Sequence, residues 1–433
     1  MNNVKGVLLE KKYLVPFILI TCLFSMWGFA NDITNPMVAA FQTVMEISTA
    51  KAAMVQLAFY GGYGTMAIPA ALFAMKYSYK KGILLGLILY AIGALLFFPA
   101  AQYELFGFFL VSLYILTFGL AFLETIANPY ILSMGEESTA TRRLNLAQSF
   151  NPLGSIFGMF IASNVILAFL QSDKRNAAGE LIFPTLSEAE KAVIRTNDLS
   201  VIRDPYVILG LVVLIMFFII LFVKLPKTEN SSKVHIGDSF RRLFKNKRYI
   251  EGVVAQVFYV GVQIMCWTFI IQYADHLGII KATAQWYNIF AMASFILFRF
   301  ISTLLMKYVN SAKLLMVFAI CGMITITGVI FIEGMLGLYC LIATSAFMSL
   351  MFPTIYGIAL DGIGEDAKLG AAGLVMAIVG GALMPPLQGA IIDLGRVGFL
   401  PAVNFSFILP FICFVVIAIY GFKSFKIYPV TVR

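Results

Sequence analysis

The sequence predicts an all-α integral membrane protein with twelve transmembrane helices arranged as two six-helix halves. Of its 433 residues, 61% are hydrophobic and 12% are charged, whereas about a quarter of the residues in a soluble globular protein are charged. The apolar residues form separate blocks of roughly 20 to 30 residues, the length of a membrane-crossing helix, and a β-barrel would instead show alternating segments of about ten. A basic loop in the middle of the chain divides these blocks six and six.

The apolar blocks between charged residues define the expected spans. They cover residues 13–41, 52–75, 82–101, 105–134, 144–170, 205–223, 250–274, 282–306, 313–332, 335–360, 369–392 and 398–422. Most Lys and Arg residues fall at the termini and in the loops that follow even-numbered spans, so the positive-inside rule predicts that both termini are cytoplasmic. A basic cytoplasmic rim that faces anionic membrane lipid also accounts for the net charge of +9, and nucleic acid is therefore not an expected partner.

Two polar loops interrupt the pattern of spans. Residues 171–204 carry mixed charges, and residues 224–248 contain eight basic and two acidic residues. The second loop predicts an N-terminal half at 1–224, a cytoplasmic linker at 225–249 and a C-terminal half at 250–433. Within the linker, the segment from Phe240 to Phe244 is interpreted either as a short amphipathic helix on the membrane surface or as part of a solvated loop.

A faint repetition favours two related halves. Met-Lys-Tyr follows the second span at 75–77 and the eighth span at 306–308, and Gly-Glu follows the fourth span at 135–136 and the tenth at 364–365. The similar spacing of the two matches indicates duplication of a six-helix unit. Two such halves are typical of a transporter whose binding site lies between them.

Two acidic residues inside the spans are the strongest functional signal. Asp32 is the only charged residue of the predicted first span, and Glu124 is the only one of the predicted fourth span. A charged side chain at the centre of a membrane helix costs about 2.5 to 3.5 kcal/mol on insertion scales, and folding does not require one. We therefore expect both carboxylates to belong to an ion or proton pathway.

Further polar and aromatic side chains lie three or four residues apart, so that they share helix faces with the acids. Because a polar side chain within a span must face protein or a water-filled cavity, we expect one polar, aromatic-lined cavity. Its candidate members are Asn31, Asp32 and Asn35 in the first span, Gln56, Tyr60 and Tyr63 in the second, Glu124 and Asn128 in the fourth, Gln148 and Asn151 in the fifth, and Tyr259, Gln263 and Trp267 in the seventh. In the alternative interpretation, the amides join helices through interhelical hydrogen bonds worth about 0.6 kcal/mol each, and Tyr259 and Trp267 are packing residues.

A proline directly follows a polar residue on both acidic spans. Pro36 comes after Asn35, and Pro129 comes after Asn128. Because proline lacks the N–H that would bond the carbonyl four residues earlier, the sequence predicts bends that offer free backbone oxygens beside the acids. Similar breaks are expected in the tenth span at Pro353 and in the eleventh at 385–386.

The composition of the expected cavity indicates its solute. It contains amides, aromatic rings and carboxylates without a cluster of Arg or Lys, which argues against phosphates and other anions. A small neutral polyol or sugar fits best, with a co-transported proton and no other cofactor. A proton driven inward by 100 mV supplies about 2.3 kcal/mol, enough for roughly fifty-fold accumulation of a solute. A multidrug proton antiporter and a passive facilitator remain alternatives. A membrane-embedded enzyme is not expected, because the sequence has no His-plus-acid or Asp-x-Asp cluster at a membrane face.

Several short motifs are shared with one family. They are Leu-Glu-Thr at 123–125, Ala-Asn-Pro at 127–129, Leu-Asn-Leu-Ala-Gln at 144–148, Phe-Asn at 150–151, Ala-Phe-Tyr at 58–60, Tyr-Val-Gly at 259–261 with Gln263, and Ala-Phe-Met-Ser at 346–349 with Pro-Thr-Ile at 353–355. Through them the chain resembles the fucose/galactose/hexose proton symporter family of the major facilitator superfamily over nearly its whole length. The resemblance implies a twelve-helix major facilitator fold, alternating access, a monomer in the bacterial inner membrane, and a site where Glu124, Gln148 and Asn151 match family positions for proton coupling and sugar contact.

The chain departs from the family pattern at two positions. The family's first-helix acid comes one turn later, where this chain has Asn35, and Phe352 stands where the family has a tyrosine. The resulting hypothesis is inward transport of L-fucose, or of a close monosaccharide such as galactose, glucose or N-acetylglucosamine, together with a proton. Glu124 is expected to lie nearest the sugar, and Asp32 is expected to relay the proton.

Overall fold

Membrane-length helices dominate the fold. The computed structural model describes residues 9–135, 143, 146–148, 150–176, 179–226, 236–306, 308–363 and 366–426. Within that part of the chain, eleven helices are long and apolar enough to cross a membrane. They correspond to every predicted span except the eighth, which is a helix of 25 residues, Lys281–Leu305. At 1.5 Å per residue this helix is about 38 Å long, also enough to cross a bilayer.

The spans are built from one or two helices each. In chain order, their bounds are Leu14–Thr34 with Met37–Val44, Thr49–Ala52 with Met54–Lys76, Tyr79–Leu95 with Phe97–Tyr103, Phe106–Leu132, Phe150–Ile161, Glu188–Phe222, Lys247–Thr268 with Ile270–His276, Lys281–Leu305, Ser311–Phe331, Met335–Met348 with Met351–Leu360, Ala367–Met376 with Gly380–Ile392, and Ala402–Phe405 with Ile408–Lys426. A two-stranded ribbon, Arg396–Val397 paired with Leu400–Pro401, precedes the last span.

The helix of the sixth span begins earlier than the predicted boundary. Its helix, Glu188–Phe222, begins well before the predicted start at residue 205, so the second part of the predicted 171–204 loop is helical. Ser187 accepts a hydrogen bond from the backbone of Glu190, whose side chain bonds back to Ser187, and this capping box starts the helix. Hydropathy locates the membrane boundary, whereas the cap locates the helix end, and here the two differ.

Two of the predicted proline breaks are confirmed. The helix Leu14–Thr34 ends just before Pro36, and Met37–Val44 continues the span beyond it. The tenth span is interrupted between Met348 and Met351, two residues before Pro353. In both places the backbone oxygens around the break lose regular helix partners, as expected from the missing proline N–H.

At the other two predicted positions the helix is not interrupted. The helix Phe106–Leu132 runs through Pro129, and Gly380–Ile392 runs through Pro385. The eleventh span is instead interrupted earlier, by a 3₁₀ turn at Ala377–Val379. Prolines are tolerated inside membrane helices because neighbouring helices and side chains compensate for the lost hydrogen bond.

Glycines let the first and fifth spans pack closely. A Cβ atom on Gly154 would lie 1.8 Å from the backbone oxygen of Ser25, and one on Gly158 would lie 2.6 Å from that of Phe29. The two glycines form the small-xxx-small pattern that allows membrane helices to approach each other. The fifth span is thereby held against the span that carries Asp32.

The linker between the halves contains a helix, Ile236–Lys245. Leu243 is buried against Tyr249 of the seventh span and Leu369 of the eleventh span. Arg242 donates to both carboxylate oxygens of Asp366, at 2.7 Å from Nε and 2.6 Å from Nη2. The 240–244 segment is therefore helical, while its place on the membrane surface and the domain boundaries at 224 and 250 stay predictions.

The ion pair between Arg242 and Asp366 predicts how the linker helix responds to acid. Hydrogen bonds from Arg242 and Ser239 lower the pKa of Asp366 from 3.8 to about 2. Because the folded-state pKa lies below the unfolded one, the stabilisation is fully present above about pH 4 and is lost as the pH falls toward 2. We expect hydrogen exchange in Ile236–Lys245, corrected for intrinsic rates, to stay equally slow from pH 7 to pH 4. Asp366→Asn should accelerate it at pH 7, and loss of protection in the native protein above pH 5 would contradict this role.

The predicted duplication remains a prediction. Residues 136, 307 and 364–365, on which its matches partly rest, lie outside the described residues, as do residues 144–145 of the family motif.

Candidate functional site

Asp32 lies near the end of the first helix and is 1% exposed. Asn35 donates a hydrogen bond of 3.1 Å to its carboxylate. The side chains of Asn31 and of Ser155 in the fifth span also interact with it. These partners are uncharged, and none of the ion pairs in the described part of the chain contains Asp32. The carboxylate can therefore gain or lose a proton without breaking an ion pair.

A chain of amides connects Asp32 to the other half of the protein. The Gln56 amide nitrogen lies 3.3 Å from Asn35 Oδ1 and 2.9 Å from Thr268 Oγ1 in the seventh span. On the same side of the second span, the Tyr60 hydroxyl donates to Asn31 Oδ1 at 2.9 Å. The structure thus brings Asn31, Asp32, Asn35, Gln56 and Tyr60 together. Thr268 carries no sequence signal that would have assigned it to this cluster.

Glu124 lies in the middle of the fourth span and is 8% exposed. Within the described part of the chain, its Oε2 atom is buried without a hydrogen-bond partner. Asn128 donates to the backbone oxygen of Glu124 at 3.0 Å, and Gln148 donates to Asn128 Oδ1 at 3.0 Å. A buried polar atom without a partner costs free energy, so this oxygen is suited to a proton or to a hydroxyl of a bound solute.

Tyr63 links the residues around Asp32 to those around Glu124. It is 2% exposed, and its hydroxyl interacts with the Trp27 side chain. It interacts electrostatically with both Glu124 and Tyr60, and Tyr60 interacts in turn with Asp32. The second span therefore places a row of polar groups between the two carboxylates.

The C-terminal half supplies a row of aromatic rings. The rings of Tyr259 and Phe352 meet edge-on with centroids 6.1 Å apart, and Phe352 stacks on Tyr356 at 6.2 Å. The Tyr259 hydroxyl is buried and has no partner in the described ranges. Tyr356, which sequence reasoning missed, interacts electrostatically with Glu124. Tyr356 lies four residues after Phe352, on the same helix face, and this spacing could have assigned it to the site.

Two predicted members make contacts that join helices. Trp267 donates its indole N–H to Ser345 at 3.1 Å and packs against Phe295, and Asn151 donates to the backbone oxygen of Phe24 at 3.1 Å. These contacts match the alternative in which such residues join helices. Gln263 is half-buried, and its sugar-binding role stays a prediction.

The similarity of the chain to known proteins identifies its family. A sequence profile of the Major Facilitator Superfamily matches residues 18–383. The chain belongs to the major facilitator superfamily. It is 71% identical over 421 residues to the L-fucose-proton symporter of Haemophilus influenzae, covering 97% of this chain and 98% of that protein. It is 34% identical over 423 residues to the L-fucose-proton symporter of Escherichia coli, covering 96% and 94%.

A solved structure of this superfamily has the same fold. The crystal structure of the transporter FucP in the outward conformation superposes with a TM-score of 0.70 at 32% identity, covering 95% of this chain and 99% of that one. The predicted all-α fold of two six-helix halves is thereby confirmed. The chain is a multi-pass membrane protein.

In this major facilitator protein the two halves touch on the face opposite the termini, here named the opposite face. There Asp393 of the eleventh span accepts hydrogen bonds from the backbone nitrogens of Thr49 and Ala50, at 2.7 and 2.8 Å. Toward the face that carries the termini, here named the terminal face, the Gln148 side chain is exposed. A cavity of about 370 Å³ lies there among the eighth, ninth and tenth spans, with Arg299 and Thr354 in its wall. The two halves are therefore in contact at the opposite face.

Proposed function

We propose that this protein imports L-fucose together with a proton across the bacterial inner membrane, acting as a monomer with both termini in the cytoplasm. The observation that carries the proposal is the buried Glu124 oxygen without a partner, beside the Asn128 and Gln148 amides. Identity of 71% to a symporter named for L-fucose and protons supports the choice of solute.

The proposed roles follow from the contacts of each residue. Glu124 takes up the proton and accepts a hydrogen bond from a sugar hydroxyl, because an acid at this depth is most stable in its neutral form. Asn128 and Gln148 bind further hydroxyls, since amides both donate and accept. Tyr259 and Phe352 present flat apolar faces to the ring of the sugar. Asp32 relays the proton along the row that contains Tyr60 and Tyr63.

The closed opposite face fits one state of alternating access. If the termini are cytoplasmic, the opposite face is the external one, and the contacts of Asp393 hold the external entrance shut. The described arrangement is then the inward-facing state. Import requires a second state in which these contacts separate, which corresponds to the outward conformation found for the similar FucP.

A closely related sugar is the second candidate solute. The chain is 28% identical over 420 residues to the glucose/galactose transporter of Brucella abortus, and Phe352 offers no hydroxyl to a sugar. Exchange of labelled sugar in proteoliposomes without an ion gradient, tested with L-fucose, D-galactose, D-glucose, N-acetylglucosamine and a cationic dye, distinguishes the candidates. We expect fast exchange of L-fucose; exchange of another solute alone would refute L-fucose as the substrate.

Exchanging two side chains tests the displaced acid of the first span. Asp32→Asn is expected to weaken proton-driven uptake by about a hundredfold or more, the lower end of what a positioned proton-transfer group contributes. The double variant Asp32→Asn/Asn35→Asp should recover most of the loss, because the two side chains are 3.1 Å apart and share a helix face. Uptake driven by a pH gradient in proteoliposomes measures both. A double variant no more active than Asp32→Asn would show that the acid is needed at residue 32.

A further inference from the structure

A buried ion pair joins the two halves at the opposite face. Lys281, the first residue of the eighth span, lies with its Nζ atom 2.5 Å from Oδ1 of Asp173, which follows the fifth span. The two side chains are 3% and 7% exposed. The backbone nitrogen of Lys281 also donates to Oδ2 of Asp173 at 3.1 Å. One carboxylate thus neutralises the lysine and caps the start of a helix in the other half.

Asp173 is held rigidly in the N-terminal half. The backbone nitrogens of Gln171 and Ser172 donate to the two carboxylate oxygens of Asp198 in the sixth span, at 2.9 and 2.8 Å. Asp198 is 0% exposed. Because the turn that carries Asp173 is fixed in this way, Asp173 cannot follow Lys281 when the two halves move apart.

A second pair of charges covers the first. Arg175, two residues after Asp173, pairs with Asp275 at the end of the seventh span. Asp275 also lies 3.6 Å from Lys281. Each half therefore contributes one acid and one base to the cluster. When the halves separate, Lys281 can turn to Asp275 within its own half, so that neither half is left with an isolated charge.

From these contacts we propose that Asp173 and Lys281 form the gate of the opposite face. They are positioning residues: they hold the two halves together in the closed state and must part whenever the face opens. The inference rests on the alternating access of the proposed function, but not on the identity of the solute. A buried charge that loses its partner destabilises the arrangement that buries it. Removal of either charge should therefore shift the protein toward the open state.

Two spin labels on the opposite face can measure this shift. One replaces Val193 at the start of the sixth span and the other replaces Leu336 at the start of the tenth, both exposed, at 71% and 65%. The background is full-length protein in which the five native cysteines are replaced. Pulsed electron–electron double resonance in nanodiscs, without sugar or gradient, measures the distances between the two labels. It gives the ratio of long to short distances. The reading is thus independent of whether L-fucose is the solute.

The expected result is a double-mutant cycle with strong coupling. Asp173→Asn and Lys281→Met should each raise the ratio of long to short distances by about tenfold or more. The combined variant should fall well short of the product of the two single effects, because it leaves no lone buried charge. Lys191→Met is the matched control: its lysine is 2.8 Å from Glu46 on the same face, but within one half. It should leave the ratio unchanged.

Three results would overturn the gate. The first is that both single variants keep the distance distribution of the native sequence. The second is that the combined variant shows the full product of the single effects, which would mean that the residues act independently. The third is that Lys191→Met opens the face as much as Lys281→Met does.

Discussion

Replacing Glu124 by glutamine is expected to abolish proton-driven accumulation of the sugar while leaving sugar exchange measurable. Glutamine has the size of the acid and can bond a sugar hydroxyl, but it cannot take up and release a proton. The Glu124 carboxylate is 8% exposed, with one oxygen unpaired within the described part of the chain. We therefore expect the accumulation ratio at 100 mV to fall from roughly fifty-fold to one, which is equilibration.

The measurement is uptake of labelled L-fucose into proteoliposomes under an imposed pH gradient, paired with exchange under no gradient. Glu104→Gln is a suitable control, because Glu104 lies between the third and fourth spans, where it bonds Thr196 near the opposite face. It should accumulate sugar as the native protein does. Undiminished accumulation by Glu124→Gln would remove this residue from the coupling mechanism.

Substitution of Gly154 by alanine is expected to prevent normal packing of the first and fifth spans. The added methyl group would lie 1.8 Å from the backbone oxygen of Ser25, a distance that only separation of the helices can relieve. We expect a loss of about 3 kcal/mol in the free energy of unfolding, the upper end of the range for overpacked cores. Because these spans carry Asp32 and Ser155, uptake should fall as well.

Thermal unfolding of the purified protein in detergent measures this effect. Gly107→Ala serves as the control, since a Cβ atom there would meet nothing within 4 Å and alanine favours helix over glycine. Its unfolding temperature should be unchanged or slightly higher. An unfolding temperature for Gly154→Ala equal to that of the native protein would show that the two spans can separate without cost.

The sequence was sufficient for the spans and for the buried acids. A bilayer requires about twenty consecutive apolar residues for each crossing, so the spans can be recognised without any knowledge of their contacts. The same argument singled out Asp32 and Glu124, because an ionisable residue inside such a block is costly. The start of the sixth helix at Glu188 lies outside the bilayer pattern and was missed, although the Ser187 capping signal was present.

Contacts between distant parts of the chain could not be predicted in the same way. Gln56 bonds Thr268, which is 212 residues away, and Lys281 bonds Asp173, which is 108 residues away. Neither pairing leaves a periodic pattern in a single sequence. Asn151 carried the same signal as Gln148, yet its amide bonds the backbone of the first span. An amide inside a span indicates a buried partner without indicating whether that partner is a helix or a solute.

In the proposed mechanism, transport of L-fucose is coupled to the movement of protons through Glu124. Accumulation of labelled L-fucose by proteoliposomes of the native protein, with and without an inward proton gradient, tests it most directly. We predict accumulation well above equilibrium with the gradient, equilibration without it, and loss of the difference in Glu124→Gln. Equal uptake by the native protein under both conditions would contradict the account and would identify a passive facilitator.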